Sequence, residues 1–251
     1  METNGETYII AFNGLQRWFH KHIIHFMVIF IITGLPIFST KFSFLASFFS
    51  VSADFITTAD HELATVGFTS AELLAKGLQV ARVLHRFTAL LFILTAIPFA
   101  IHMLINIKNW KLWPEESWSP IALLKGFGEL WKTYILFGHG RFGKINTGQK
   151  LFAWTMTVCV IAITGSGFML LFRDAFTVAL QEQARLVHAA AFIIICLLLP
   201  MHIYLSLIPM NRYGIRAIFR DGNIPVSTIR EHHPIWYEQL KKEGAIKEEH
   251  N

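Results

Sequence analysis

The residues in this chain that could do chemistry are histidines set where a polar side chain is costly. His188 and His202 lie fourteen positions apart within RLVHAAAFIIICLLLPMHIYLSLIPM, the stretch from Arg185 to Met210. On a helix, fourteen steps of about 100° fall roughly 40° short of four turns, so both imidazoles share one face. They stand about 21 Å apart along the axis, one near each end of a stretch that meets the ~20 apolar residues a bilayer crossing needs. Hydrocarbon offers an ionisable group no hydrogen-bond partner, so such residues mark functional sites by default. Two on one face point to two cofactors stacked across a membrane, each requiring a second ligand from another helix.

Other histidines fall in comparable places. His20, His22 and His25 occupy the first turns of an apolar run from Trp18 to Phe38, and His85 lies early in another from Arg82 to Ile107. His22 sits about 200° around the helix from His20, on the opposite face. His102 follows His85 by seventeen positions, about 100° around, and is read as a packing or interfacial residue. His61 is read as a solvent-exposed loop residue.

These positions imply the elements that must carry them. Hydrophobic residues make up 53% of the 251-residue chain and charged residues 16%, with a mean hydropathy of +0.46. That is too apolar for an ordinary soluble domain. Four spans are expected, at about 18–38, 82–107, 149–172 and 185–210, forming an all-α membrane bundle over residues 18–210. A polar lead (1–17) precedes it and a polar tail (211–251) follows. Thr33-Gly34 is a low-bulk patch that lets a helix or a flat cofactor come close. Pro36 helps end the first span, Pro98 is a kink candidate, and Gly165 and Gly167 lie in the third span.

The connection 39–81 is long for a compact bundle. Its Phe-rich piece SFLASFFSVSADF is too short to span and is expected to lie along the interface or against a partner, while ELATVGFTSAELLAKGLQVARV reads as helical. The 108–148 loop carries Trp110, Trp113, Trp118 and Trp131 and a surface helix near Ile121 to Leu136. Cys159 and Cys196 lie inside apolar runs and read as small core residues.

Lys and Arg counts orient the bundle. The second loop carries Lys108, Lys111, Lys125, Lys132, Arg141, Lys144 and Lys150, and the tail carries seven more, from Arg212 to Lys247. The opposite side has Lys41, Lys76, Arg173 and Arg185. Both termini are therefore expected in the cytoplasm. The same distribution accounts for the net charge of +5 without nucleic acid. The first apolar run has no small-residue cleavage site and is read as a retained span.

With that orientation the histidines sort into two level pairs, His85 with His188 outside and His20 with His202 inside. Neutral imidazoles from two facing helices are the usual axial ligands of a low-spin b-type haem. Two b haems, with those four residues as iron ligands, are the expectation.

The pattern RWFHKHIIHFMVIFIITGLP from Arg17, VLHRF around His85, NTGQK at Asn146 to Lys150, the spacing from His188 to HIY at Tyr204, and the tail GIRAIFRDGNIPVSTIREHHPIWY (Gly214 to Tyr237) together resemble formate dehydrogenase gamma subunits, cytochrome b556 subunits of the prokaryotic cytochrome b561-type family. The resemblance covers roughly residues 15–38, 80–107 and 144–240. It implies the same four haem ligands and a quinone pocket beside the inner haem involving Asn146, Gly148 and His202; Gln149 and Lys150, at the start of the third span, are counted in the same pocket. It also implies an iron–sulfur partner subunit, a molybdenum or tungsten catalytic subunit, menaquinone or ubiquinone as acceptor, a role in anaerobic respiration, and a multi-pass place in the bacterial inner membrane.

Physical chemistry supports that pocket. The first turn of the third span presents unpaired N–H groups and partial positive charge, Gly148 leaves its backbone open, Asn146 can donate to a carbonyl oxygen, and Lys150 adds charge. The competing reading makes Asn-Thr-Gly a turn and N-cap. The chain itself shows no nucleotide loop and no cluster framework. Rival readings are the cytochrome b subunit of a thiosulfate or polysulfide reductase or of a hydrogenase, and a haem-free anchor or transporter. His232-His233 could suggest a metal site, but a tail segment against a partner or lipid is favoured.

Overall fold

The computed structural model describes residues 2–3, 6–57, 70–106 and 119–246. His61, Trp110, Trp113 and Trp118 lie outside the described residues. Helices α1 (Gly14–Phe38), α2 (Phe44–Thr57), α3 (Ser70–Ile105), α4 (Pro120–Tyr134), α5 (Thr147–Leu171), α6 (Val178–Leu207), α7 (Arg212–Phe219), α8 (Val226–His232) and α9 (Pro234–Lys242) dominate the described residues. Four of them, α1, α3, α5 and α6, are long and apolar enough to cross a membrane. Their apolar residues look outward: Leu94, Leu104, Ile161 and Leu197 are each at least 60% exposed. Water would not tolerate that much bare hydrocarbon, whereas lipid does. Both α3 and α6 extend beyond the expected spans at their N-terminal ends, by twelve and seven residues.

The chain divides into two compact units. One runs from Trp18 to Phe99 and holds most of α1, all of α2 and most of α3. The Phe-rich piece of the long connection is α2, and it packs on α3 through small residues. Ala46 and Ala81 are fully buried, and a Cβ added at Gly77 would land on the Ala46 carbonyl group. Pro36 sits within the last turn of α1 and Pro98 within α3.

The second unit joins residues 1–17 to residues 100–251. In it α5 packs along α6, and α4 lies against α5. A Cβ at Gly126 would collide with Thr147, so only glycine lets α4 come that close.

The polar lead and tail fold together instead of trailing free. Strand β2 (Glu6–Ile10) pairs antiparallel with β1 (Glu2–Thr3) on one side and with β3 (Asn223–Pro225) on the other, Ile9 facing Ile224. Ala11, Ala217, Ile224, Ile229, Trp236, Leu240 and Ile246 close a small core beneath it. Gly222, at φ +87, makes the turn from α7 into β3, and its carbonyl accepts from the Ala11 and Phe12 amides. This small sheet is an addition to the expected all-helical architecture.

Candidate functional site

In the Trp18–Phe99 unit, His85 on α3 faces Thr33 and Gly34 on α1. The Thr33 hydroxyl lies 2.9 Å from His85 Nδ1 and also 2.6 Å from the Ile29 carbonyl, to which it donates. A Cβ at Gly34 would stand 3.5 Å from His85 Cε1, an ordinary van der Waals contact, so the imidazole packs close against this residue of α1. Phe30 meets the same ring edge-on, with centroids 5.2 Å apart.

In the second unit, His188 on α6 faces Ser166 and Gly167 on α5. The Ser166 hydroxyl lies 3.2 Å from His188 Nδ1 and donates to the Ala162 carbonyl at 2.7 Å. A Cβ at Gly167 would come within 3.2 Å of His188 Cε1. A hydroxyl residue followed by glycine therefore seats a histidine in each unit.

The two arrangements keep one register. Asn13 and Asn146, Thr33 and Ser166, and Gly34 and Gly167 are each 133 positions apart. Both asparagines open a 25-residue helix with a reciprocal cap, Asn13 with Gln16 and Asn146 with Gln149. On the partner helices, Ala81-Arg82 stands three residues before His85 as Ala184-Arg185 does before His188. The same offset of 103 pairs Phe99 with His202. Phe19 stacks on Phe99 at 3.8 Å and Phe152 stacks on His202 at 4.5 Å, both nearly parallel. This internal duplication escaped the sequence reading, which used Thr33-Gly34 only as a low-bulk patch and missed Ser166. Its signal was present in the repeated Asn-x-x-Gln, hydroxyl-Gly and Ala-Arg-x-x-His spacings.

The remaining histidines separate. His20 and His202 are half-buried, in different units. His22 and His25 are exposed and bond their own helix, Nδ1 lying 2.7 Å from the Trp18 carbonyl and 3.0 Å from the Lys21 carbonyl. His102 contacts Asn13 at 3.2 Å and Asn106 at 3.4 Å.

Of the residues expected around a quinone, Asn146 and Gln149 line a cavity of about 180 Å³, together with Tyr134, Asn211, Tyr213 and His233. Gly148 and Lys150 do not line it. Above Gly148 stands Leu130 of α4, 3.2 Å from where a Cβ would be, so this glycine serves helix packing as well. Asn146 accepts from the Gln149 amide at 2.9 Å and Gln149 returns the bond at 3.0 Å. The capping role is thus real, and it engages Asn146 Oδ1 while its amide nitrogen remains a potential donor. Tyr134, Asn211 and Tyr213 were not picked out beforehand, because nothing in their local sequence separates them from ordinary surface residues.

His233 is buried, with Nδ1 2.6 Å from the Gly143 carbonyl and Nε2 2.5 Å from the Tyr213 hydroxyl. It ties the loop before α5 to α7, which places it inside its own cap and not against a partner or lipid. Burial holds its pKa below the ordinary value, partly opposed by the bond to Gly143, with a further lowering from His232. Tyr213 is shifted the other way, upward, by burial and by Tyr134. The neutral ring donates to Gly143 and accepts from Tyr213.

Imidazole nitrogens are the donor set of a low-spin haem, and the cleared faces at Gly34 and Gly167 suit ligands that must hold a fixed plane. Membrane-length helices carrying histidines are what an integral membrane cytochrome b requires. The chain belongs to the family described as prokaryotic cytochrome b561, which it matches over residues 11–220, and membership implies b-type haem. It is similar to the formate dehydrogenase cytochrome b556 subunit of Haemophilus influenzae, with 27% identity over 64% of this chain and 64% of the relative. It is similar also to two Escherichia coli proteins. Identity is 28% over 42% of this chain and 49% of the nitrate-inducible formate dehydrogenase cytochrome b556(Fdn) subunit. It is 24% over 68% of this chain and 76% of the formate dehydrogenase cytochrome b556(fdo) subunit. The chain thus spans about two thirds and about half of the first two relatives.

Proposed function

We propose that this chain is the membrane electron-transfer subunit of a formate dehydrogenase-type complex, exchanging electrons between an iron–sulfur partner and membrane quinone. The observation that carries the reading is the pair His85 and His188, each held at Nδ1 by a hydroxyl within a membrane-length helix pair. A neutral ring bonded through Nδ1–H would hold a metal through Nε2. His85 and His188 are assigned to an outer b haem and His20 and His202 to an inner one. When bound, b-type haem supplies a reversible one-electron couple.

The protein's own part is ligation, orientation and exclusion of water. Apolar helices keep the ligands in a low dielectric, and the glycines let each imidazole lie against the neighbouring helix. Quinone is assigned to the start of α5, where Asn146, Gly148, Gln149 and Lys150 meet partial positive charge from the helix end. There the Asn146 amide nitrogen would donate to a quinone oxygen, and the cavity that Asn146 lines with Tyr134 and Tyr213 lies alongside. The basic loops support cytoplasmic termini, and protons for quinone reduction would then come from that side. The iron–sulfur and molybdenum or tungsten subunits stand outside, and the membrane is the bacterial inner membrane.

The test is haem content and the reduced optical spectrum of the purified chain and two variants. Two b haems per chain are expected, with one lost in His188→Ala and both kept in His22→Ala, since His22 bonds its own helix. A chain without a reduced haem b band overturns the reading. The co-purifying subunits decide the partner, and formate-dependent reduction decides the substrate.

A further inference from the structure

We propose that Thr33 and Ser166 are positioning residues that fix the tautomer of His85 and His188 and set the electron-donating strength of each ring. The inference rests on the haem reading above and goes beyond ligand assignment.

Counting hydrogens fixes the roles. The Thr33 hydroxyl has one hydrogen, and the 2.6 Å contact to the Ile29 carbonyl takes it, because a carbonyl can only accept. What Thr33 then turns toward His85 Nδ1 at 2.9 Å is a lone pair. Nδ1 must carry the ring hydrogen, and in the neutral ring Nε2 carries the lone pair that a metal requires. Ser166 gives its hydrogen to the Ala162 carbonyl at 2.7 Å and lies 3.2 Å from His188 Nδ1, where it shares the ring hydrogen with the Ile163 carbonyl, itself a partner of His188. Thr33 is 1% exposed and Ser166 5%, so water cannot replace either hydroxyl.

Two features argue that this is built and not incidental. The bond occurs in both halves of the duplicated pattern, each time with glycine next in sequence facing Cε1 of the same ring. Buried Thr and Ser hydroxyls often satisfy only their own helix. Here each does so and still presents its second lone pair to a histidine. An acceptor on Nδ1–H raises the basicity of a metal-bound imidazole, which favours the oxidised metal and lowers its potential. The shorter contact, at Thr33, should act more strongly than that at Ser166.

The experiment uses the full chain in its assembled complex with Thr33→Val, Thr33→Ser, Ser166→Ala and the double variant Thr33→Val with Ser166→Ala. Redox titration of the haem optical bands is paired with low-temperature electron paramagnetic resonance. Thr33→Val keeps side-chain shape and replaces the hydroxyl by a methyl, which removes the acceptor for His85 together with the intrahelical bond to the Ile29 carbonyl. It should raise the potential of one haem and leave the other unmoved. A tenfold change in the reduced-to-oxidised ratio is the expected order, about 59 mV for a one-electron couple. Ser166→Ala should move the same haem by less, the double variant by more than either, and Thr33→Ser should return the wild-type value. If Thr33→Val loses a haem that Thr33→Ser restores, the hydroxyl's positioning role is equally supported. Unchanged potentials and resonance spectra in Thr33→Val and Ser166→Ala, with both haems bound, overturn the proposal while leaving the haem reading intact. A haem lost in Thr33→Val and not restored in Thr33→Ser overturns it too, by showing that volume and not the acceptor matters. Absence of haem from the wild type fails the underlying reading instead.

Discussion

Replacing His233 with Phe should loosen the cap formed by the chain's two ends. The ring is 6% exposed and satisfies two buried groups, the Gly143 carbonyl at 2.6 Å and the Tyr213 hydroxyl at 2.5 Å. Phe preserves the edge contacts with Tyr213 and Trp236, whose centroids lie 5.6 and 6.0 Å away. The change therefore isolates the polar part. Each stranded buried group costs about 1–3 kcal/mol, giving about 2–6 kcal/mol for the pair. At about 1.4 kcal/mol per decade, even the lower figure multiplies the open population roughly 30-fold. Amide hydrogen exchange of the full chain in lipid nanodiscs reads this directly in peptides covering 212–242. Those peptides should exchange roughly 30-fold faster or more, while peptides from α5 and α6 keep their rates. Exchange within threefold of wild type would refute the clamp. His233 also lines the cavity that Asn146 enters, so quinone turnover should fall alongside.

Acidification should have a related effect with a defined sign. The folded-state pKa of His233 lies below the ordinary 6.5, so the unfolded cap binds the proton more readily. Its contribution is complete above pH ~6.5 and is lost as pH falls from there toward the folded value. Cap peptides should lose protection between pH 7.5 and 5.5 once intrinsic exchange is corrected, and equal slopes in wild type and His233→Gln would contradict this. Asn146→Asp retains an oxygen for the Gln149 amide and so keeps the helix cap, but removes the amide donor. Combined with Gly148→Ala, it should depress quinone reduction several-fold with both haems present, and normal turnover would dismiss this site. Gly77→Val places side-chain atoms on the Ala46 carbonyl, 2.8 Å from its carbon even at Cβ. Proteolysis of residues 42–57 should accelerate markedly, and an unchanged cleavage pattern would mean α2 is not held there.

Periodicity made the four long helices legible because a membrane imposes one rule on about 20 residues at a time. The histidines were legible for the same reason, since an imidazole on an apolar face has no cheap bland neighbour in sequence. Extent was harder. Both α3 and α6 begin before the expected spans, and polar residues interrupt the apolar pattern there: Glu72 and Lys76 follow Ser70 in α3, and Gln181, Glu182 and Gln183 follow Val178 in α6. The Phe-rich piece could be read as apolar, but only the meeting of Ala46 with Gly77 shows that one side of it is committed to α3.

The cap shows where single-sequence reasoning runs out. Ile9 and Ile224 become neighbours across a strand pair, although more than two hundred residues separate them, and neither strand is long enough to announce itself. Trp236 and Ile229 look like isolated apolar residues in a polar tail until Ala11 and Ala217 close over them. His233 beside His232 could suggest a metal site for the same reason. Adjacent residues on a chain point in different directions, and here one ring is buried while the other stacks on Tyr213 at 5.3 Å. By contrast, the hydroxyl–glycine seats could have been found in sequence, because they recur. A pattern met once at Thr33-Gly34 is only small residues. Met again 133 positions on, with a histidine at Ala-Arg-x-x-His on the next long helix each time, it is a constraint on where an imidazole must sit.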